Sequence, residues 1–176
     1  EGGNLYTAYN YVLRANIYLE ESRTDSAQAY FQKAFKLLEK ESHYKIKYYC
    51  YFCYSSYLLD QHQLDEAKKI LEGLYIDALK NRAVSNQAEL LTQLAALENK
   101  RDEYKKAYAY LMQAKPLLPK NDNSYVKFNF LFHLAHLKYN MGNYVAAITH
   151  LKSVLSIKEI DHYEDVKADM TALAGN

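Results

Sequence analysis

The chain has 176 residues, 49% of them apolar and 24% charged, which excludes two large domains and suits an ordered rather than a disordered protein. A formal net charge of +1 supplies no global attraction to nucleic acid or an anionic membrane. Five glycines and two prolines are too few for a turn-rich all-β fold, while nineteen tyrosines without a tryptophan are an unusual bias.

In chain order, apolar residues recur at i, i+3, i+4 and i+7, the spacing of helices and not the alternation of strands. The pattern predicts helices at about 4–21 and 24–40, then 44–61 and 64–80, 84–100 and 103–115, and 124–141 and 144–158. Polar breaks separate the two helices of each pair: SRTD, QHQ, KRD and MGN. Asp102 is expected as an N-cap and Gly142 as the left-handed residue that follows a helix. Pro116 and Pro119 should end the sixth helix early, because proline removes a backbone donor and restricts the residue before it. At the tail, Asp161 and Glu164 have capping-box spacing and Val166 lies 40 residues after Val126. Residues 161–176 therefore read as the first helix of a partial fifth unit or as a capping helix.

These pairs are copies of one unit. Ala27, Ala67, Ala107 and Ala147 are spaced by 40 residues, and four positions on stand Phe31, Leu71, Leu111 and Leu151. Three further on come Ala34, Leu74, Ala114 and Val154; twelve before each alanine is a small residue, Ala15, Ser55, Ala95 or Ala135. Helices can approach closely along the small columns, and the Phe/Leu column fills the groove between them. A helix pair cannot bury its apolar face alone, so such units are expected to stack. The units run at about 4–40, 44–80, 84–120 and 124–159, with the partial unit at 161–176.

A bulky residue, a small one four later, Gly-x-Tyr at the turn and Ala-x-x-x-Phe-x-x-Ala in the second helix resemble the tetratricopeptide repeat (TPR) pattern. The fourth unit carries it from Leu131 to Leu155, the first as Ala27-x-x-x-Phe31-x-x-Ala34, and the third as Tyr104-x-x-Ala107-x-x-x-Leu111-x-x-Ala114. The unit is 40 residues and not the usual 34, and the turn glycine is replaced by Ser22, His62 and Asp102 in three copies. The resemblance implies an all-α, right-handed TPR-like solenoid of antiparallel helix pairs, four repeats plus the partial fifth, with no cofactor.

It also implies where a partner binds, along an inner wall made by the first helix of each unit. Carried over unit by unit, that wall comprises Tyr9, Val12, Asn16 and Leu19; Tyr49, Phe52, Ser56 and Leu59; Glu89, Thr92, Ala96 and Asn99; and Asn129, Phe132, His136 and Tyr139. Branches that clamp a C-terminal carboxylate use a Lys/Asn pair; here Asn16 is present but Val12 holds the lysine place. The wall is aromatic and apolar in units one, two and four, which suits a protein or peptide with apolar anchors. The expected function is a non-catalytic scaffold. The alternative is a sensory or regulatory segment of a larger bacterial signalling or transcription-regulating protein, and weak self-association through the end helices is a further possibility.

The segment HYKIKYYCYFCYSSYLLD, residues 43–60, carries a Cys-x-x-Cys. A redox pair should open a helix after a strand, where the helix dipole lowers a thiol pKa; Cys50 and Cys53 fall mid-helix and read as small apolar residues. A zinc site needs four ligands, and His43 and His62 lie too far along the helix to join them. His133 and His136 stand at i, i+3 without a recurring third ligand. No nucleophile–base set or glycine-rich phosphate loop stands out. Lys68/Lys69 and Lys105/Lys106 lack the aromatic interleaving of nucleic-acid binders. No apolar run approaches the roughly 20 residues of a membrane span. The start at EGGNLYT, without methionine or signal-peptide core, suggests a piece of a longer protein whose targeting segment lies elsewhere, with a cytoplasmic setting weakly favoured.

Overall fold

A computed structural model describes residues 3–39, 43–120 and 125–155. The described residues contain eight α-helices and no strand: α1 (Gly3–Glu20), α2 (Thr24–Leu38), α3 (Tyr44–Asp60), α4 (Leu64–Lys80), α5 (Val84–Lys100), α6 (Tyr104–Ala114), α7 (Tyr125–Asn140) and α8 (Tyr144–Leu155). The helical spacing thus yields a helix at every predicted place, and the described ends shift by two residues at most; the expected end of the eighth helix, 156–158, lies outside the described residues. The expected partial unit at 161–176 lies outside the described residues. The chain divides into two compact units, Glu1–Asp77 and Ala78–Asn176, the division falling in the last turn of α4.

Each helix pair is joined by one repeated turn. In the first, Ser22 N–H donates to Leu19 O at 2.9 Å and Arg23 N–H to Tyr18 O at 2.7 Å, while Ser22 takes φ +58°. This is the Schellman arrangement, in which a left-handed residue just past a helix lets two backbone donors reach the last free carbonyls. His62, Asp102 and Gly142 repeat it with φ of +56°, +59° and +75°. Arg82 makes the same turn between α4 and α5, at φ +53°.

Asp102 is therefore not the N-cap that its residue type predicts. It ends α5, and its carboxylate accepts a hydrogen bond from the Tyr104 hydroxyl at 2.8 Å. Asn143, not singled out in the sequence, is a true cap: its Oδ1 accepts from Ala146 N–H at 3.2 Å. Gly142 holds the place predicted for it. At Pro116 the chain tightens, α6 stopping at Ala114 and a 3₁₀ turn following over Lys115–Leu117.

The repeated columns are the core. All four alanines of the Ala27 column are buried, as are Phe31, Leu71, Leu111 and Leu151, and Ala15, Ser55, Ala95 and Ala135. Ser55 fits an otherwise apolar column because its Oγ donates to Phe52 O at 2.7 Å, one turn back on its own helix.

In the first unit α1 and α2 pack along their length and α3 lies against both. The seam between α2 and α3 is aromatic: the Phe31 ring lies 5.2 Å from Tyr54 and 5.4 Å from Tyr57, and Phe35 stacks on Tyr51 at 4.7 Å. The tyrosines of residues 43–60 are thus largely packing residues. In the second unit α5 pairs with α6 and α7 with α8, and α7 also lies on α5 and α6.

Candidate functional site

The residues expected on the inner wall fall on first helices in both units, but at different depths. In the first unit Val12 is buried, while Tyr9, Asn16, Tyr49, Phe52 and Ser56 are partly exposed. Helical spacing in α1 and α3 brings Tyr9 and Tyr49 together, with ring centroids 5.1 Å apart. Phe52 stacks on Tyr48 at 5.6 Å, a neighbour one turn earlier. Asn16 Nδ2 donates to Cys53 Sγ at 3.8 Å, and Ser56 Oγ donates to Phe52 O at 3.3 Å. Burial, and after it the adjacent Cys53, pushes the Tyr49 hydroxyl above its ordinary value, so it stays a neutral donor on an apolar surface.

In the second unit Thr92 and Asn129 are buried, Thr92 donating to Ala88 O at 2.9 Å, so neither presents a surface to a partner. Glu89 is partly exposed, whereas Ala96 and Asn99 are buried; Leu59 of the first unit is buried and Leu19 partly so. Phe132 is the centre of a ladder of rings along α7. It stacks on Phe128 at 6.3 Å and on His136 at 5.8 Å, with interplanar angles of 6° and 13°. His133 meets its edge at 5.4 Å. Burial, then the charges of His136 and Lys100, lowers His133 to about 4 and keeps its ring neutral.

His136 and Tyr139 are exposed and lead into a groove of about 360 Å³ between α7 and α8. Phe132, His136 and Tyr139 form one wall, Tyr144, Ile148 and Leu151 the other, and Ala135 and Ala147 the floor. Tyr139 and Tyr144 touch edge to face at 5.3 Å across its mouth. The α8 wall is not part of the surface expected from sequence. Its signal is Ile148, an apolar residue where earlier units carry Gln28, Lys68 and Tyr108.

Among the described residues no group of three or more His, Cys, Asp or Glu side chains is placed to hold a metal ion. Cys50 is buried and its thiol is pushed up to about 12 by burial and then by Cys53, the opposite of an activated thiolate. Among the described residues every buried side-chain polar atom has a hydrogen-bond partner. The described polar core is satisfied internally, and what the two units offer outward is aromatic contact surface. No described helix is long and apolar enough to cross a membrane.

No protein-family model matches the chain, and no curated protein does. Among solved structures it is similar to BtubC (BKLC) from P. vanneervenii, with a TM-score of 0.64 and 14% identity over 82% of this chain. The match spans 59% of that chain's length. At that identity the likeness shows the helical fold alone.

Proposed function

We propose that this chain is a TPR-like, right-handed stack of antiparallel helix pairs that serves as a non-catalytic docking scaffold for a protein or peptide. The 40-residue register, the buried small and Phe/Leu columns and the repeated Schellman turns support the stacked reading. The observation that carries the binding role is a set of aromatics on first helices, held by ring-to-ring contacts yet partly open to solvent. These are Tyr9, Tyr49 and Phe52 in the first unit, and Phe132, His136 and Tyr139 in the second. Rings already fixed by neighbours lose little entropy when an apolar side chain lands on them, which favours recognition of a peptide with aromatic or aliphatic anchors.

Panning a random peptide library against the intact chain, followed by titration of the selected peptides, tests this reading. Phe52→Ala and Phe132→Ala should weaken the selected peptides by roughly tenfold or more, the scale of a contact worth over 1 kcal/mol. A library that yields no binder, or binders indifferent to both substitutions, overturns the proposal.

A further inference from the structure

One side of α1 takes no part in the expected inner wall. Tyr11, Arg14 and Tyr18, at i, i+3 and i+7, lie across α1 from Tyr9 and Asn16, at roughly 100° of turn per residue. Where α1 packs on α2, this stripe meets Tyr30 and Lys33, themselves three residues apart. The ring of Tyr30 has Tyr18 at 5.3 Å and Tyr11 edge-on at 5.7 Å. Arg14 Nη1 donates to the Tyr30 hydroxyl at 3.5 Å. The Arg14 guanidinium carbon lies 6.0 Å from the Tyr30 ring centre, and Lys33 Nζ lies 4.6 Å from it. Arg23 continues the cluster, its guanidinium 4.5 Å from the centre of the Tyr18 ring. Arg14 and Lys33 are exposed, and Tyr30 is partly so.

This setting reverses the usual role of a tyrosine hydroxyl. Tyr104, also partly exposed, donates to the Asp102 carboxylate, and that hydrogen bond holds its hydroxyl above the ordinary value. The Tyr30 hydroxyl instead accepts from a cation. The hydrogen bond from Arg14, aided by the charges of Arg14 and Lys33 and by Tyr18, outweighs partial burial and holds it below the ordinary value of 10. Phenolate is a far better oxygen nucleophile than phenol, so a cation placed on the hydroxyl activates it.

We propose that Tyr30 is a nucleophilic tyrosine that accepts an acyl group from activated carboxylic esters whose leaving group departs as an anion, such as aryl esters and acyl phosphates. The phenolic oxygen attacks the carbonyl carbon and a new C–O bond forms. The bond to the leaving group breaks, its electron pair leaves with that group, and the phenolic proton passes to water. The remaining N–H groups of Arg14 stand beside the attacking oxygen, where they can meet the charge that builds on the carbonyl oxygen in the transition state. Lys33 and Arg23 add attraction for an anionic donor. The product is a tyrosyl ester on α2, a stoichiometric modification. The cluster shares no residue with the docking wall, so acylation needs no docked partner.

Peptide mapping by mass spectrometry, after brief exposure of the intact chain to p-nitrophenyl acetate near neutral pH, tests the assignment. Tyr30 should gain an acetyl group roughly tenfold faster than Tyr104 or than Tyr6, which is 67% exposed. The pH at which Tyr30 reaches half its limiting rate should lie below that of Tyr104. Arg14→Gln should bring Tyr30 down to the Tyr6 rate and move its pH profile upward, and Lys33→Gln should slow it by roughly half. Both replaced side chains are exposed, so each variant should keep the helical circular dichroism of the unmodified chain. Acetylation of Tyr30 no faster than that of Tyr6 overturns the proposal, as does a fast rate indifferent to both substitutions. Acetyl transfer to Lys33 in place of Tyr30 equally overturns it.

Discussion

Tyr9 on α1 and Tyr49 on α3, forty residues apart in the chain, bring their ring centroids within 5.1 Å at a 41° tilt. Equivalent positions of successive first helices thus touch each other directly, which ties the repeat in the sequence to a contact in space. A double-mutant cycle with Tyr9→Ala and Tyr49→Ala should give a coupling of roughly 0.5–1.5 kcal/mol in urea unfolding. Additive single effects would show that the two rings are merely adjacent.

The turn positions make a second prediction. His62 adopts φ +56° with a side chain, in a region where an L-residue's Cβ crowds the backbone, whereas Gly142 occupies the equivalent turn without that penalty. His62→Gly should therefore stabilise the chain by roughly 0.5–1 kcal/mol, and Gly142→Ala should destabilise it by about 1 kcal/mol. Opposite signs from a pair of urea titrations are the expected result; like signs would contradict the account of the turn.

Core columns differ in what they tolerate. Ala107 is fully buried, so Ala107→Leu should cost roughly 1–3 kcal/mol through overpacking. Ser55 is equally buried, but its hydroxyl bonds to its own helix and holds no other element. Ser55→Ala should change stability by less than about 1 kcal/mol, because donor and bond disappear together without leaving a buried donor unpaired. Thermal or urea melts of the two variants read the difference.

His133 makes stability depend on pH. Its folded pKa, about 4, lies below the ordinary histidine value of 6.5, so between those limits the unfolded chain binds a proton that the folded chain does not. The contribution is fully present above pH ~6.5, falls as pH drops toward 4 and is constant below that, with a full span of at most about 3 kcal/mol. His133→Gln should flatten the stability profile in that window; an unchanged profile would assign the dependence to other groups.

The two thiols should separate chemically. Cys50 is buried with its thiol raised to about 12, while Cys53 is partly exposed beside Asn16. Iodoacetamide on the native chain at pH 8 should label Cys53 first, and Cys50 only at the rate of unfolding. Labelling at equal rates would show that the middle of α3 opens freely.

Helix positions and core columns were readable because periodicity and buried volume are local properties of a chain. A side chain returning every 3.6 residues declares the face it will bury, and a return every forty declares that the face is reused. The turns were readable in place but not in kind: Asp102 has the composition of a cap and the geometry of a helix end. Position in the motif outranks residue preference when two backbone hydrogen bonds depend on it.

Depth on the first helices was not readable at all. Val12, Thr92 and Asn129 belong to the same columns as Tyr9, Phe52 and Phe132, yet the first three are buried and the others stay partly open. Exposure depends on which neighbouring helix lies across a residue, and no spacing within one helix records that. The α8 wall of the groove is of the same kind, since Tyr144 and Ile148 become a surface only where two helices meet with nothing described over them. The chain's own order of residues determined the rods, their ends and their apolar stripes. Which parts of those stripes remain available to another molecule was decided by three-dimensional packing, because solvent exclusion is a property of the assembled helices and not of any one of them.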